Sequence, residues 1–395
     1  MKWSPQQAAA LDTVATWLKE TNDPYLYLAG YAGTGKTTLA KHFAEGVDGH
    51  VAFGSFTGKA ASVMRDKGCV GATTIHRLIY ESRSKSGAYL RELQRKLALD
   101  DPSPQRAMSL RIQIQQEVDK LKQPHFQLDP CSNLRDAALV IIDECSMVNE
   151  EMGRDLLSFG VPVLVLGDPA QLPPVFGGGF FTNGEPDVML TEVHRQARES
   201  GILRLATAVR MGKGLDYCDE GDAVVMRKGD LHPADAVNYD QILVGRNKTR
   251  HATNKRVRDL IGRMHRFPES SDRLVCLRNN HDLGLLNGEI YEATNDATVF
   301  DDGTILMDIE AEDGERQQTI EAWQCHFLGE KPDRYERGGD VQEFAFGYVL
   351  TVHKAQGSQW PSVLVFDESS CFRADWQKWL YTAITRAADT LTVIK

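Results

Sequence analysis

The stretch Tyr25-Leu26-Tyr27-Leu28-Ala29-Gly30-Tyr31-Ala32-Gly33-Thr34-Gly35-Lys36-Thr37 passes from a run of apolar and aromatic residues into a glycine-rich turn. The run reads as a buried strand, and the residues after Lys36 read as a helix. Gly30 to Thr37 therefore fits G-x-x-x-x-G-K-[ST] in the strand–turn–helix context the pattern requires. Glycines at these spacings let backbone N–H groups turn inward to cradle phosphate oxygens, and the helix N-terminus adds favourable partial charge. Lys36 is placed to reach the β- and γ-phosphates of a bound triphosphate, and the Thr37 hydroxyl to hold Mg²⁺.

Working outward, Val140-Ile141-Ile142-Asp143-Glu144 is an apolar strand ending in two carboxylates. Asp143 is suited to hold Mg²⁺, and Glu144 to orient and deprotonate an attacking water. A lone pair of acids at a strand end also reads as a solvated terminus. The phosphate loop upstream is what favours the catalytic reading. Leu166-Gly167-Asp168-Pro169-Ala170-Gln171-Leu172-Pro173-Pro174 follows the next strand, and Gln171 at its tip is placed to touch both γ-phosphate and water. The alternative is a rigid proline-bearing turn without chemistry. Fast hydrolysis also needs positive charge on the transferring phosphoryl group, roughly 10³ to 10⁵ in rate. Arg195 in Leu190–Gln196 and Arg386 in Tyr381–Arg386 are the candidates, although each by itself also reads as a surface salt-bridge partner.

Short buried strands alternate with amphipathic helices twice over, the pattern of parallel α/β units. Ser4 is a good N-cap with Pro5 at the first helical position, and Leu11, Val14 and Leu18 recur at helical spacing. Val51–Phe53, Ala138–Ile142 and Val161–Leu166 complete a first set of strands. Ile242–Val244, Phe346–Val352, Val363–Phe366 and Leu391–Ile394 form a second, with helices beginning near Lys248 and ending near Ala387. The expected fold is thus α/β, two tandem doubly wound parallel-sheet domains. The first takes residues 1–80 and 135–205, the second 206–271 and 343–395. Residues 81–134 form a polar helical insertion, with helices over Tyr89–Leu99 and Arg106–Leu121 and no evident hairpin. Within it Phe126 is either a wedge or a buried anchor. Residues 272–342, with turns at Asn287-Gly288, Asp302-Gly303 and Asp313-Gly314, form a small β-barrel insertion.

Composition bounds these readings. Apolar residues are 42% and charged residues 25% of 395, the balance of a globular protein. The apolar stretches are too short to span a bilayer, and Met1-Lys2-Trp3-Ser4-Pro5 carries no apolar signal segment behind its lysine. Seven scattered cysteines without a C-x-x-C pair argue against a zinc site or disulfide framework and suit a reducing cytoplasm. The net charge of −10 opposes nucleic-acid binding on average, so any strand must be gripped by local basic residues. Between Arg246 and Arg266, Lys248, Arg250, Lys255, Arg256, Arg258 and Arg263 face only Asp259. That run reads as either a solvated helix face or a strand-binding one.

The ordered set resembles superfamily 1 helicases, and within them the RecD/Dda-like 5′-to-3′ branch, nearly end to end. Ser4-Pro5-Gln6-Gln7 is similar to the adenine-reading glutamine motif, with Gln7 in the reading position. Ser55–Ala61 resembles motif Ia, Thr73–Leu78 motif Ib, and the Asp143-Glu144 and Gln171 segments motifs II and III. Arg195 falls in the motif IV position, Tyr348–Ser358 resembles motif V, and the Arg386 segment motif VI. Arg273-Leu274-Val275 with Asn287-Gly288-Glu289 resembles the SH3-like barrel inserted in the second half. The resemblance implies two RecA-like halves with ATP and Mg²⁺ between them. The nucleotide would meet Gln7, Gly33, Thr34, Gly35, Lys36, Thr37, Thr38 and Gly357, with Asp143, Glu144, Gln171, Arg195 and Arg386 completing the chemistry.

The same resemblance implies that Thr57, Lys59, His76, Thr351, His353 and Lys354 contact single-stranded DNA, mainly at phosphates, as a sequence-tolerant motor requires. His76 and His353 also read as capping or core histidines. The implied partners are single strands and single/double-strand junctions, with replication or recombination proteins beyond them and a monomer as the motor. An assembly subunit of a larger DNA repair or recombination complex, translocating without unwinding by itself, is a second reading. A small-molecule kinase built on the same loop would leave the second sheet and Gln356-Gly357 unexplained.

Overall fold

The computed structural model describes residues 3–20, 23–82, 93, 96–97, 104–122, 126–129, 131–173, 179–192, 200–280, 283–312, 316–330 and 341–395. The chain divides into two compact units. One comprises Met1–Ile79, Cys131–Met264 and Tyr348–Lys395, and the other Tyr80–Pro130 and His265–Gly347. No helix among the described residues is long and apolar enough to cross a membrane.

The larger unit begins with α1 (Pro5–Glu20). The Ser4 hydroxyl accepts from Gln7 N at 3.2 Å while Gln7 Oε1 accepts from Ser4 N at 3.1 Å, a reciprocal cap that satisfies two donors otherwise orphaned at a helix start. Then come β1 (Tyr25–Gly30), α2 (Lys36–Glu45), β2 (Val51–Ser55), α3 (Gly58–Asp66), β3 (Thr73–Thr74) and α4 (Ile75–Ile79). After an excursion into the other unit through β4 (Tyr80–Ser82), α5 (Pro104–Lys122) and β5 (Phe126–Leu128), the chain returns as β6 (Leu139–Asp143), α6 (Glu150–Leu157), β7 (Val163–Gly167) and β8 (Val188–Leu190). These form a sheet in the order β3-β2-β6-β7-β1-β8, every pair parallel. Leu28, Leu139, Ile141, Leu164 and Leu166 on the sheet pack with Val14, Trp17, Leu39 and Phe43 from the helices. Strands buried on both faces are why these segments read as unbroken apolar runs rather than alternating ones.

The same unit contains a second sheet. After α7 (Gly201–Arg210) come β9 (Cys218–Asp219), β10 (Ala223–Met226), β11 (Gln241–Val244) and α8 (Asn247–Leu260). The chain then leaves for the smaller unit to form β12 (Arg273–Cys276), β13 (Ile290–Ala293), β14 (Thr298–Val299), β15 (Thr304–Ala311), β16 (Gln317–Trp323), α9 (Cys325–Leu328) and β17 (Phe344–Phe346). It returns as β18 (Val349–Thr351), β19 (Trp360–Phe366), α10 (Trp376–Ile384) and β20 (Ala387–Ile394). The second sheet runs β18-β11-β19-β20-β10-β9, parallel except for the β9–β10 edge. Mixed α/β architecture on parallel sheets is therefore as expected.

One local reading needs correction. Phe346–Val352 is not one strand: Phe344–Phe346 pairs antiparallel with β12, and Val349–Thr351 pairs parallel with β11. Gly347 sits between them, where a Cβ would come within 2.8 Å of Leu274 backbone, so only glycine fits the bend. The expected division at 205/206 falls inside α7, which packs on α10, β10 and β20. Between β4 and β5, α5 takes in Arg106–Leu121. Of Tyr89–Leu99, only Leu93, Lys96 and Leu97 lie within the described residues, and they are helical. An antiparallel ribbon, Tyr80 opposite Leu128 and Ser82 opposite Phe126, joins the two ends of this stretch. The partners are far apart in sequence, so no turn signal announced it.

The smaller unit's other sheet runs β14-β15-β13-β12-β17, with β16 along the free side of β15. Gln342 N donates to Glu321 O at 2.7 Å and Trp323 N to Gln342 O at 3.1 Å, tying the end of β16 to the residues leading into β17.

The basic run on α8 is split by its packing. Arg250, Asn254, Val257 and Arg258 are buried, while Lys248, Lys255 and Arg256 are exposed. The buried set recurs at helical spacing, so it is the core-facing stripe. Asn254 fastens this stripe: its Nδ2 donates to Val349 O and to Arg250 O, and its Oδ1 accepts from Val349 N. Asn254→Ala leaves buried backbone groups unpaired, at about 1–3 kcal/mol each. The variant is expected to unfold at clearly lower temperature than the parent by calorimetry, and an unchanged transition would contradict this account of α8.

Candidate active site

Gly33 and Gly35 adopt φ of +78° and +82°, which bends the loop after β1 so that its amides point inward ahead of α2. Gly30 cannot carry a side chain, because a Cβ would lie 2.6 Å from Thr34 Oγ1. Thr34 is buried, its hydroxyl donating to Tyr31 O, and its own carbonyl accepts from Gln7 Nε2 at 3.1 Å. Lys36 Nζ folds back onto the loop, donating to Gly30 O at 2.6 Å and Tyr31 O at 3.2 Å. A polyanion in the cradle would offer this ammonium better partners than two neutral carbonyls.

Across the loop, Thr37 Oγ1 donates to Asp143 Oδ2 at 3.1 Å, and Asp143 Oδ1 accepts from Glu144 N at 2.8 Å. A hydroxyl and a carboxylate in contact at a phosphate cradle are hard oxygen donors of the kind Mg²⁺ takes, together with substrate oxygens. Glu144 has φ +55° and ψ +43°, a left-handed conformation that costs a non-glycine residue about 1–2 kcal/mol. The turn is held by the buried Cys145 beneath it, whose Sγ would stand 2.6 Å from a Cβ on Gly167. Burial pushes the Glu144 carboxyl up from the usual carboxylate range. The Arg386 guanidinium works against that shift, neighbouring Asp143 adds to it and Lys36 opposes it. A carboxylate held this way is a better base than an exposed one.

Gln171, after β7, is buried, and its Oε1 has no hydrogen-bond partner among the described residues. Buried polar atoms are rarely left so, and this one lies on the wall of the cleft. From the second half comes Arg386, also buried. It is braced by Thr382 O at 3.1 Å, Ser358 O at 3.1 Å and Thr385 Oγ1 at 3.2 Å, none of them carrying formal charge. Gly33, Gly35, Lys36, Thr37, Thr38, Asp143, Glu144 and Gln171 line one cleft of about 590 Å³ together with Gly357 and Arg386. Such a cleft can grip a triphosphate, hold a divalent ion and aim a base and a cation at the terminal phosphoryl group.

The remaining anticipated residues fall elsewhere. Gln7 lies off the cleft wall, its amide engaged with Thr34 and the helix cap. Arg195 lies outside the described residues. Thr57 caps α3 by accepting from Ala60 N, and its hydroxyl abuts Gly357, so the segments resembling motifs Ia and V meet. His76 is half-buried against Phe56, with ring centroids 6.1 Å apart, and His353 against Phe372 at 5.6 Å. Burial lowers the His353 pKa, with Asp375 opposing, so the ring is a neutral hydrogen-bonding group at pH 7. Thr351 is buried, and Lys59 and Lys354 are intermediate in exposure.

Sequence reasoning missed Lys67 and Gln359 on the cleft wall, and gave no role to Asp168 or Tyr381. Only the burial of the last two distinguishes them. Gly357, at φ +77°, would place a Cβ 2.8 Å from Thr57 Oγ1 and 2.9 Å from Ala60 Cβ. Gly357→Ala should therefore weaken nucleotide binding at least tenfold, by titration calorimetry, while circular dichroism stays native. Unchanged affinity would show that this close approach is not needed.

A family model described as "AAA domain" matches residues 2–232, and one described as "UvrD-like helicase C-terminal domain" matches residues 346–394. The ATP-dependent RecD2 DNA helicase of Deinococcus radiodurans is 26% identical, aligned over 98% of this chain and 48% of its own length. The chain thus spans about half of that relative. Among solved structures, Bacteroides Pif1 bound to ssDNA superposes with TM-score 0.56 at 17% identity, covering 100% of this chain and 92% of that one. A Pif1 structure solved for DNA unwinding at forked dsDNA gives TM-score 0.56 at 18% identity with the same coverage. With its phosphate loop inside a family match that takes in more than half of its residues, the chain belongs to the AAA domain family.

Proposed function

We propose that this chain is an ATP-driven DNA helicase that moves 5′ to 3′ along a single strand and opens duplex ahead of it. The observation that carries the proposal is the convergence of Lys36, Thr37, Asp143, Glu144 and Gln171 from the first half with Arg386 from the second on one cleft. Lys36 would exchange the carbonyls of Gly30 and Tyr31 for β- and γ-phosphate oxygens. Thr37 and Asp143 would hold Mg²⁺, which when bound neutralises phosphate charge. Glu144 would take the proton of a water oriented by Gln171, and Arg386 would stabilise charge on the transferring phosphoryl group. Gln7 would read adenine, and Arg195 would add a second cation. The two halves would then alternately close and open about the nucleotide.

A strand lying on Thr57, Lys59 and His76 of one half and Thr351, His353 and Lys354 of the other would be ratcheted by that cycle. The relatives support DNA as the polymer. The sheet of 272–342 would be the small SH3-like β-barrel insertion, and residues 81–134 would supply the strand-separating element. Opening each base-pair step costs on average about 1.4 kcal/mol, so translocation and separation need such a wedge. The motor would work as a monomer, with replication or recombination proteins as partners.

The direct test is unwinding of partial duplexes. A 5′ overhang with ATP should yield separated strands, a 3′ overhang or omission of ATP none. Unwinding from the 3′ overhang instead would reverse the polarity, and neither would reduce the chain to a translocase. Lys36→Ala should abolish ATP turnover yet bind single strands within a few-fold of the parent, by fluorescence anisotropy. The raised Glu144 pKa predicts that kcat/KM falls with acid above the ordinary carboxylate range. Arg386→Gln removes the largest opposing charge, so the acid limb of its residual activity should move to still higher pH. A shift downward, or none, would take Glu144 out of the role of base.

A further inference from the structure

The phosphate loop is gripped by the second half at Ala32, itself on the cleft wall. Ala32 N donates to the Tyr381 hydroxyl at 2.9 Å, and that hydroxyl donates to Asp168 Oδ2 at 2.7 Å. Asp168 Oδ1 accepts from Ala170 N, which precedes Gln171, and Gln171 N donates to Asp168 O. One residue earlier in the loop, the Arg210 guanidinium of α7 stacks 3.5 Å from the centroid of the Tyr31 ring. Tyr381 and Asp168 are both buried. The hydroxyl sits between a donor and a carboxylate, and burial raises its pKa well above the usual tyrosine value, so it keeps its proton and stays neutral.

We infer that Tyr381 is a positioning residue for hydrolysis, its hydroxyl tying the phosphate loop and the Gln171 turn to the second half, with Arg210 as a second grip on the loop. The reasoning is geometric. A single hydroxyl accepts from the loop and donates to the carboxylate that shapes the turn bearing Gln171. The same helix, α10, leads directly into Arg386. Any movement of α10 relative to the first half must break or carry both contacts. The loop, the water-orienting glutamine and the arginine are thereby set together rather than one by one.

The inference rests on the proposed ATP hydrolysis, and its test separates the two. Amide hydrogen exchange at Ala32, read by NMR without nucleotide or DNA, tests the contact itself. Tyr381→Phe should speed that exchange at least tenfold with little change in the thermal midpoint. In steady-state ATPase assays with single-stranded DNA, Tyr381→Phe should lower kcat at least tenfold while KM for ATP moves less than threefold. Asp168→Asn should lose kcat as well, and the double variant should be no worse than Tyr381→Phe, because both changes break one linkage. Should Tyr381→Phe fail to fold, Arg210→Met carries the test, with faster Ala32 exchange and a several-fold lower kcat expected. Unchanged Ala32 exchange, or losses that multiply in the double variant, would overturn the inference. A parent protein that hydrolyses no ATP, with Ala32 still protected by Tyr381, would overturn the proposed activity and leave the linkage standing.

Discussion

A small set of hydrogen bonds crosses from the second parallel sheet's helix and loops to the strand tips of the first. Leu172 N donates to Thr382 Oγ1 at 2.9 Å, Gln356 Nε2 donates to Leu172 O at 2.9 Å, and the Tyr381 hydroxyl reaches Asp168. All these groups are buried, where a broken hydrogen bond costs about 1–3 kcal/mol for each group left unpaired. The seam is therefore a place where a few polar contacts decide whether two halves stand together or apart. With these contacts in place, Arg386, which follows α10, shares one cleft with Lys36, Thr37, Asp143, Glu144 and Gln171.

Two tight backbone positions lie at the cleft. Glu144 sits in a left-handed conformation, and Gly357 packs against Thr57 and Ala60 with no space for a side chain. Such features persist where surrounding contacts over-determine them, and both lie on the cleft wall. Within each half the sheets are apolar and, apart from the β9–β10 edge, parallel.

Much of this was legible in the residues. Tyr25–Thr37 announced strand, loop and helix because glycine spacing, a lysine and a threonine must occur in that order to wrap phosphate. Val140–Glu144 and the Gln171 segment were readable because apolar strands ending in polar residues place those residues at a sheet edge. Less legible were features that depend on partners distant in sequence. The β4–β5 ribbon joins residues more than forty positions apart, and no turn residue marks it. Phe346–Val352 looked like one strand because apolar character does not reveal which sheet a residue joins. The basic run on α8 concealed a buried stripe, since Arg250 and Arg258 pack inward against their residue type. Tyr381 looked like any aromatic residue on a helix until its hydroxyl was seen between Ala32 and Asp168.

In the present arrangement Arg386 bonds to Thr382, Thr385 and Ser358, and Lys36 to the carbonyls of its own loop. A crystal structure of the chain with ADP, aluminium fluoride, magnesium and a single strand would show where both cations go when a phosphoryl-transfer mimic fills the cradle. The expected result is Lys36 and Arg386 both within hydrogen-bond distance of the fluoride group, drawn from opposite halves. A filled cradle with the guanidinium still held on Ser358 and Thr382, away from the fluoride, would mean that the second half takes no part in the chemistry.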